Sequence, residues 1–172
     1  GVSQGSQPII SYNYGARQFG RVRQTIRLAL TGNSAFTLAA TAVILAAPGF
    51  FIRIFNSDPA LLNVGQPMLR VYAAGLFVHG ANSTFQQTYN SLGEGRKALF
   101  FAFLRKVVLL IPLIYLLPAL LPWGVLAVML AEPVSDILTA AANALYFQRF
   151  LLKKAPVGPS PMKRGGEEYD RA

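Results

Sequence analysis

A helical run of roughly 20 apolar residues is long enough to cross a hydrocarbon core about 30 Å thick. Four runs in this 172-residue chain reach that length, at about 26–47, 68–89, 98–117 and 125–147. Lipid offers no hydrogen bonds, so each run must satisfy its own backbone, which an α-helix does. The expected fold class is therefore all-α, a polytopic membrane helix bundle with four full transmembrane helices plus the end of a fifth. The opening residues, Gly1 to Ile10, supply that end. They read as an apolar helix cut open, and the chain is expected to be a fragment. Residues 1–153 form the expected transmembrane lobe. Residues 154–172, rich in Pro and Gly with mixed charges, read as a disordered cytoplasmic tail.

The connections support this division. Pro118 to Gly124 leaves room only for a tight hairpin between the third and fourth spans, with Trp123 at its tip suited to a membrane interface. Between the first two spans, Phe50, Phe51, Ile54 and Phe55 alternate with polar residues, as in a short interfacial element. Asp58 before Pro59 has the chemistry of a helix N-cap followed by proline at the first helical position.

Charge then sets orientation. The chain carries 16 Lys and Arg against 7 Asp and Glu, a net charge of +9. Such a balance can signal nucleic acid, but here the basic residues flank apolar runs, as in membrane proteins, and no nucleic-acid partner is expected. Arg17, Arg21, Arg23, Arg27, Arg96, Lys97, Arg149, Lys153, Lys154, Lys163, Arg164 and Arg171 fall on one side of the expected topology. Only Arg53 and Arg70 fall on the other. The first side is expected to be cytoplasmic, with the C-terminus, in the inner (plasma) membrane. The chain has no cysteine, which excludes disulfides and thiolate metal sites, and its single His79 excludes a paired-histidine metal motif.

Polar groups inside the spans are the informative positions, because hydrocarbon penalises them unless they face protein or a wet cavity. His79, Asn82, Gln86 and Asn90 share one helical stripe, widened by Ser83 and Gln87, and are expected to line a cavity. Hydrogen bonding between helices is the plainer alternative. Glu132, Ser135, Asp136, Thr139 and Asn143 share a face of the fourth span. A carboxyl there can bind and release a proton or Na⁺, since burial and nearby cations pull its proton affinity in opposite directions. Counted from the hairpin apex at Leu121–Pro122, Arg105 lies about 16 residues before and Asp136 about 14 after, a depth difference of roughly 3 Å. The two are expected to form a structural ion pair. Glu132 has no equally obvious partner; Lys106 lies about one turn off in depth, and either serves it or snorkels to the cytoplasmic side. Pro8, Pro112 and Pro133 sit inside helices as kinks, static or bending. Ala35, Ala39, Ala42 and Ala46 form a small-residue stripe expected to pack.

Gln4, Gly5, Gln7, Pro8, Tyr12, Asn13, Tyr14, Gly15 and Ala16, followed by the basic Arg17 to Arg27, resemble a run in the MATE family of multidrug and toxic compound extrusion transporters. The MepA-like or DinF-like branch is the nearest. Arg105 with Ile111-Pro112-Leu113, and Pro133-Val-Ser-Asp136, resemble that family's eleventh and twelfth helices. The resemblance covers about residues 1–153. It implies the end of helix eight and helices nine to twelve of a twelve-helix transporter. It further implies an antiporter exporting small organic cations, driven by H⁺ or Na⁺ and without a cofactor. Its partners would be the lipid bilayer and the missing N-terminal lobe. The expected cavity residues are Gln7, His79, Asn82, Gln86 and Glu132, with Arg105 and Asp136 as the structural pair. Lys106 and Glu132 depart from the uncharged residues the family pattern leads one to expect. A lipid-linked oligosaccharide flippase of the same superfamily is the nearest alternative, and a non-transporting membrane scaffold is another. No catalytic triad, metal motif or phosphate loop argues for an enzyme.

Overall fold

The computed structural model describes residues 1–155, all of whose regular elements are helical. In chain order these are α1 (Val2–Gly15), α2 (Phe19–Ala46), α3 (Pro48–Arg53) and α4 (Pro59–Ala73). A 3₁₀ turn (Leu76–Val78), α5 (His79–Ser91) and α6 (Gly95–Phe103) come next. A π-helical turn (Leu104–Leu109), α7 (Leu110–Leu120) and α8 (Val125–Lys154) complete the chain. Of the expected tail, Lys154 ends α8 and Ala155 is buried; residues 156–172 lie outside the described residues.

Three crossings are continuous. Phe19–Ala46, Gly95–Leu120 and Val125–Lys154 are each long and apolar enough to span a bilayer. Their boundaries run several residues past the apolar runs, because basic and polar residues at helix ends extend into the headgroup layer. The run at 68–89 is not one helix. It divides into α4, the 3₁₀ turn and α5. At Gly75 the chain passes so near α8 that an added Cβ would lie 2.6 Å from the Pro133 Cα. Gly75 itself is buried against α8, while Ala74 and Phe77 beside it are exposed among the described residues. Between the first two crossings, α3 is the short element expected at the interface, and the Asp58 carboxylate caps α4 by accepting from Ala60 N–H at 2.9 Å.

The core joins α1, α2, α5, α6 and α8 at one end of the bundle. Fully buried Tyr89 stacks on Phe101 at 5.8 Å between ring centroids, meets Phe147 and Phe150 edge-on, and donates to Asn143 Oδ1 at 2.7 Å. A second, polar knot joins α1, α2 and α5. Asn33 donates to Thr84 Oγ1 at 2.9 Å and to Ser3 Oγ. There α5 meets α2 closely, for a Cβ on Gly80 would lie 2.5 Å from the Asn33 carbonyl oxygen. Ala35, Ala39, Ala42 and Ala46, expected to pack, are all exposed among the described residues, while Thr41 is buried.

The basic segments converge as the topology requires. Arg23 Nε donates to the Ala155 carbonyl at 2.6 Å, Ser11 Oγ to the Ser91 carbonyl at 2.9 Å, and Lys154 pairs with Glu94 at 2.7 Å. The α1–α2 turn, the α5–α6 turn and the end of α8 therefore share one end of the bundle.

Candidate functional site

Four charged side chains from α8 and the π turn meet in the middle of the bundle. Asp136 is buried, its side chain 5% exposed, and Arg105 faces it with two nitrogens, Nη2 donating to Oδ2 at 3.0 Å and Nε lying against Oδ1. Arg105 Nη2 also lies 3.6 Å from Glu132 Oε1, which accepts from the Lys106 ammonium. Of the two roles open to Lys106, the structure has it pair with Glu132, although the residue count put the two about one turn apart in depth. Two features of the local structure explain it. Glu132 and Asp136 are four residues apart on α8, so they stack on one face within reach of one guanidinium. Residues 105 and 106 lie within a π turn, where wider winding turns neighbouring side chains through a smaller angle than an α-helix does. Both therefore reach α8, and Lys106 is not left to snorkel alone.

The π turn has visible causes and supports. Pro112 follows it, and proline both lacks an N–H and crowds the preceding turn. The Arg105 carbonyl accepts from Leu110 N–H and also from Ser135 Oγ at 2.7 Å, which ties the turn to α8. Arg105 is thus held through its backbone by Ser135 and through its side chain by Asp136.

Two cavities border this group. The larger, about 450 Å³, is walled by the helix break at Gly75 and Leu76, by His79, and by Arg105, Lys106, Glu132 and Asp136. The smaller, about 170 Å³, is lined by Asn82, Gln86, Thr139 and Asn143, again with Arg105 and Lys106. The two basic residues therefore stand between the cavities and contribute to both. The expected α5 stripe is divided accordingly. His79 is exposed to the larger cavity, Gln86 is exposed at the smaller one, and Asn82 is buried with its amide donating to the Asp136 carbonyl at 3.3 Å. Gln7 is half-buried on α1 and lines neither cavity.

Sequence reasoning missed Tyr72 and Gly75 as cavity-wall residues. A glycine inside an apolar run was the available signal for Gly75, since such a residue marks a close backbone approach. Nothing comparable marks Tyr72. Among the described residues, no group of three or more His, Cys, Asp or Glu is placed to hold a metal ion.

An all-helical bundle with three apolar crossings, a fourth that is broken, and a paired-charge cluster bordering cavities at the break defines a polytopic membrane protein. The MatE family model matches residues 1–116. The multidrug export protein MepA of Staphylococcus haemolyticus (strain JCSC1435) is 26% identical over 120 residues, covering 70% of this chain and 26% of that protein. MepA of Staphylococcus aureus (strain NCTC 8325 / PS 47) is 24% identical over 145 residues, covering 84% and 31%. Among solved structures, the MATE multidrug transporter DinF-BH superposes with a TM-score of 0.79 at 30% identity, covering 86% of this chain and 33% of that one. An outward-facing multidrug resistance MATE transporter reaches a TM-score of 0.82 at 15% identity, a likeness of fold alone, over 91% and 34%. The chain belongs to the MatE family, and it spans about a third or less of the length of these relatives.

Proposed function

We propose that this chain is most of the C-terminal lobe of a multidrug exporter, in which small organic cations leave the cell in exchange for H⁺ or Na⁺. The observation that carries the reading is the unequal holding of two carboxylates beside one cavity. Asp136 is buried and bound by Arg105, while Glu132 is 23% exposed and shared with Lys106, whose side chain is 52% exposed. The buried pair is suited to fixing geometry, since a stranded partner is costly. The Glu132–Lys106 pair is suited to exchange, because an exposed ion pair is worth little and its lysine can turn out to water. An organic cation, a proton or Na⁺ entering the cavity competes with Lys106 for the same carboxylate. One negative charge cannot serve drug and coupling ion at once, and that exclusion is the elementary requirement of antiport. The remainder of the cavity, and the alternation of access, would come from an N-terminal lobe. The basic end would face the cytoplasm of a cell whose inner (plasma) membrane holds the protein. A flippase for a diphosphate-linked lipid would need an excess of positive charge, whereas here two cations match two carboxylates.

The test is Glu132→Gln in the full-length transporter that contains this lobe, with efflux of a fluorescent organic cation followed as pH is varied. The amide keeps the shape and removes the titration. Helix content should be retained and the pH dependence of efflux should flatten. Normal efflux at every pH in a well-folded variant refutes the coupling role. If Glu132 only braces the bundle, Glu132→Gln lowers stability and Lys106→Gln partly restores it.

A further inference from the structure

We propose that the groove between α2 and α8 at the basic end of the bundle is a binding site for an anionic phospholipid. The groove has a volume of about 470 Å³. From α2 it takes Arg23, Ile26, Arg27 and Leu30; from α8 it takes Gln148 and Leu151 among its walls. It lies away from the Arg105–Asp136 cluster, and the proposal stands whether or not the protein exports drugs.

Three observations point to the ligand. The first is charge. Arg23 and Arg27 are one turn apart on one helix face, a like-charge pair that repels unless an anion lies between. No Asp or Glu lines the groove, and among the described residues neither arginine has an acidic partner.

The second is an unfilled hydrogen bond. Arg23 Nε is fixed by the Ala155 carbonyl at 2.6 Å, while its Nη2 is buried with no acceptor among the described residues. Buried guanidinium nitrogens are ordinarily satisfied, and an anionic oxygen matches this one in charge.

The third is shape along the membrane normal. From Gly20 to Leu30 the α2 wall rises about 15 Å, which exceeds the thickness of one headgroup layer and enters the hydrocarbon. Along it the polar Arg23, Gln24, Arg27 and Gln148 stand beside the apolar Ile26, Leu30, Phe147 and Leu151, which suits an anion joined to an alkyl chain. A free phosphate leaves the apolar residues unmatched. A zwitterionic lipid brings its own ammonium against two arginines. A phosphodiester lipid with a net negative charge matches both sets of residues, in the way basic pockets between spans take anionic headgroups.

The experiment uses the whole chain in detergent, with retention of phosphatidylglycerol against phosphatidylcholine measured by native mass spectrometry. Circular dichroism checks that each variant keeps its helices. Phosphatidylglycerol should be retained preferentially. Arg27→Gln should weaken that retention by about fivefold, the effect of one basic residue near an anionic surface. Arg27 is the decisive position, because Arg23→Gln also breaks the tie to Ala155. Arg53→Gln with Arg70→Gln, at the other end of the bundle, should leave retention unchanged. Equal retention of the two lipids overturns the proposal, as does an Arg27→Gln variant that binds like the parent. Displacement of the lipid by millimolar inorganic phosphate reduces the site to a simple anion site and also overturns it. Loss of the preference in the full-length transporter, with this groove covered by protein, does the same.

Discussion

Removing either member of the Arg105–Asp136 pair should have unequal costs. At 3.0 Å and an effective dielectric of about 20, the gross attraction between the two charges is ~5.5 kcal/mol. Most of that offsets the desolvation of both ions, so the intact pair contributes little net stability. The effect appears when one partner goes. Arg105→Ala leaves Asp136, 5% exposed, with no cation at hydrogen-bonding distance, and should destabilise by about 3–5 kcal/mol. Asp136→Ala leaves Arg105 with Glu132 at 3.6 Å and with a fifth of its side chain exposed, so its cost should be smaller, about 2 kcal/mol. The double variant should cost about as much as Arg105→Ala alone, a coupling of roughly 2 kcal/mol. The assay is loss of helical circular dichroism as SDS is titrated into mixed micelles holding each of the four proteins. Additive losses would show that the charges do not interact. A larger loss for Asp136→Ala than for Arg105→Ala would refute the reasoning about Glu132 as a reserve partner.

The close approach of α5 to α2 predicts that Gly80→Ala, whose Cβ would lie 2.5 Å from the Asn33 carbonyl oxygen, destabilises by about 1–3 kcal/mol in the same titration. Gly32→Ala, with open space around the new methyl, should gain about 0.5–1 kcal/mol from better helix propensity; equal effects at both sites would remove the packing argument. Hydrogen bonds from Lys154, then Lys97, hold the Glu94 carboxyl below its ordinary value of 4.5. Its contribution is therefore full above that value and is lost as pH falls through the lower folded one, so melting of the parent and of Glu94→Gln should differ at neutral pH and converge in acid. A gap that persists in acid would show that the ion pairs are not its source. Since the chain has no cysteine, Arg96→Cys and Ser57→Cys can report topology without background. In cells, Arg96→Cys should be labelled by an impermeant maleimide only after permeabilisation and Ser57→Cys before it, and the reverse pattern would invert the orientation.

The depth count found one of the two ion pairs and underrated the other. Counting from the hairpin apex placed Arg105 and Asp136 within about two residues' rise of each other, roughly 3 Å, a gap the long Arg105 side chain closes. The depth count put Lys106 about one turn from Glu132, and a helix of regular pitch would also separate residues 105 and 106 by about 100°. The π turn removes part of that separation, and Lys106 reaches Glu132. The α5 stripe was expected to line one cavity, yet its members have different neighbours. Asn82 turns to the Asp136 carbonyl, and His79 borders a separate cavity. Gln7, chosen from the family resemblance, sits on α1 away from both cavities.

By itself the sequence determined that the chain is helical, roughly where it crosses a membrane, and which end is basic. Each of these follows from transfer energies summed over some twenty neighbouring residues, a local quantity that no folded partner is needed to evaluate. Tertiary structure alone decided where the second crossing breaks and which cations meet which carboxylates. The break at Gly75 depends on the Pro133 backbone of a distant helix, and the charge pairing depends on how a π turn before Pro112 docks against α8. Those are contacts between segments far apart in the chain, set by steric fit and hydrogen bonding across the bundle, and no local average over sequence contains them.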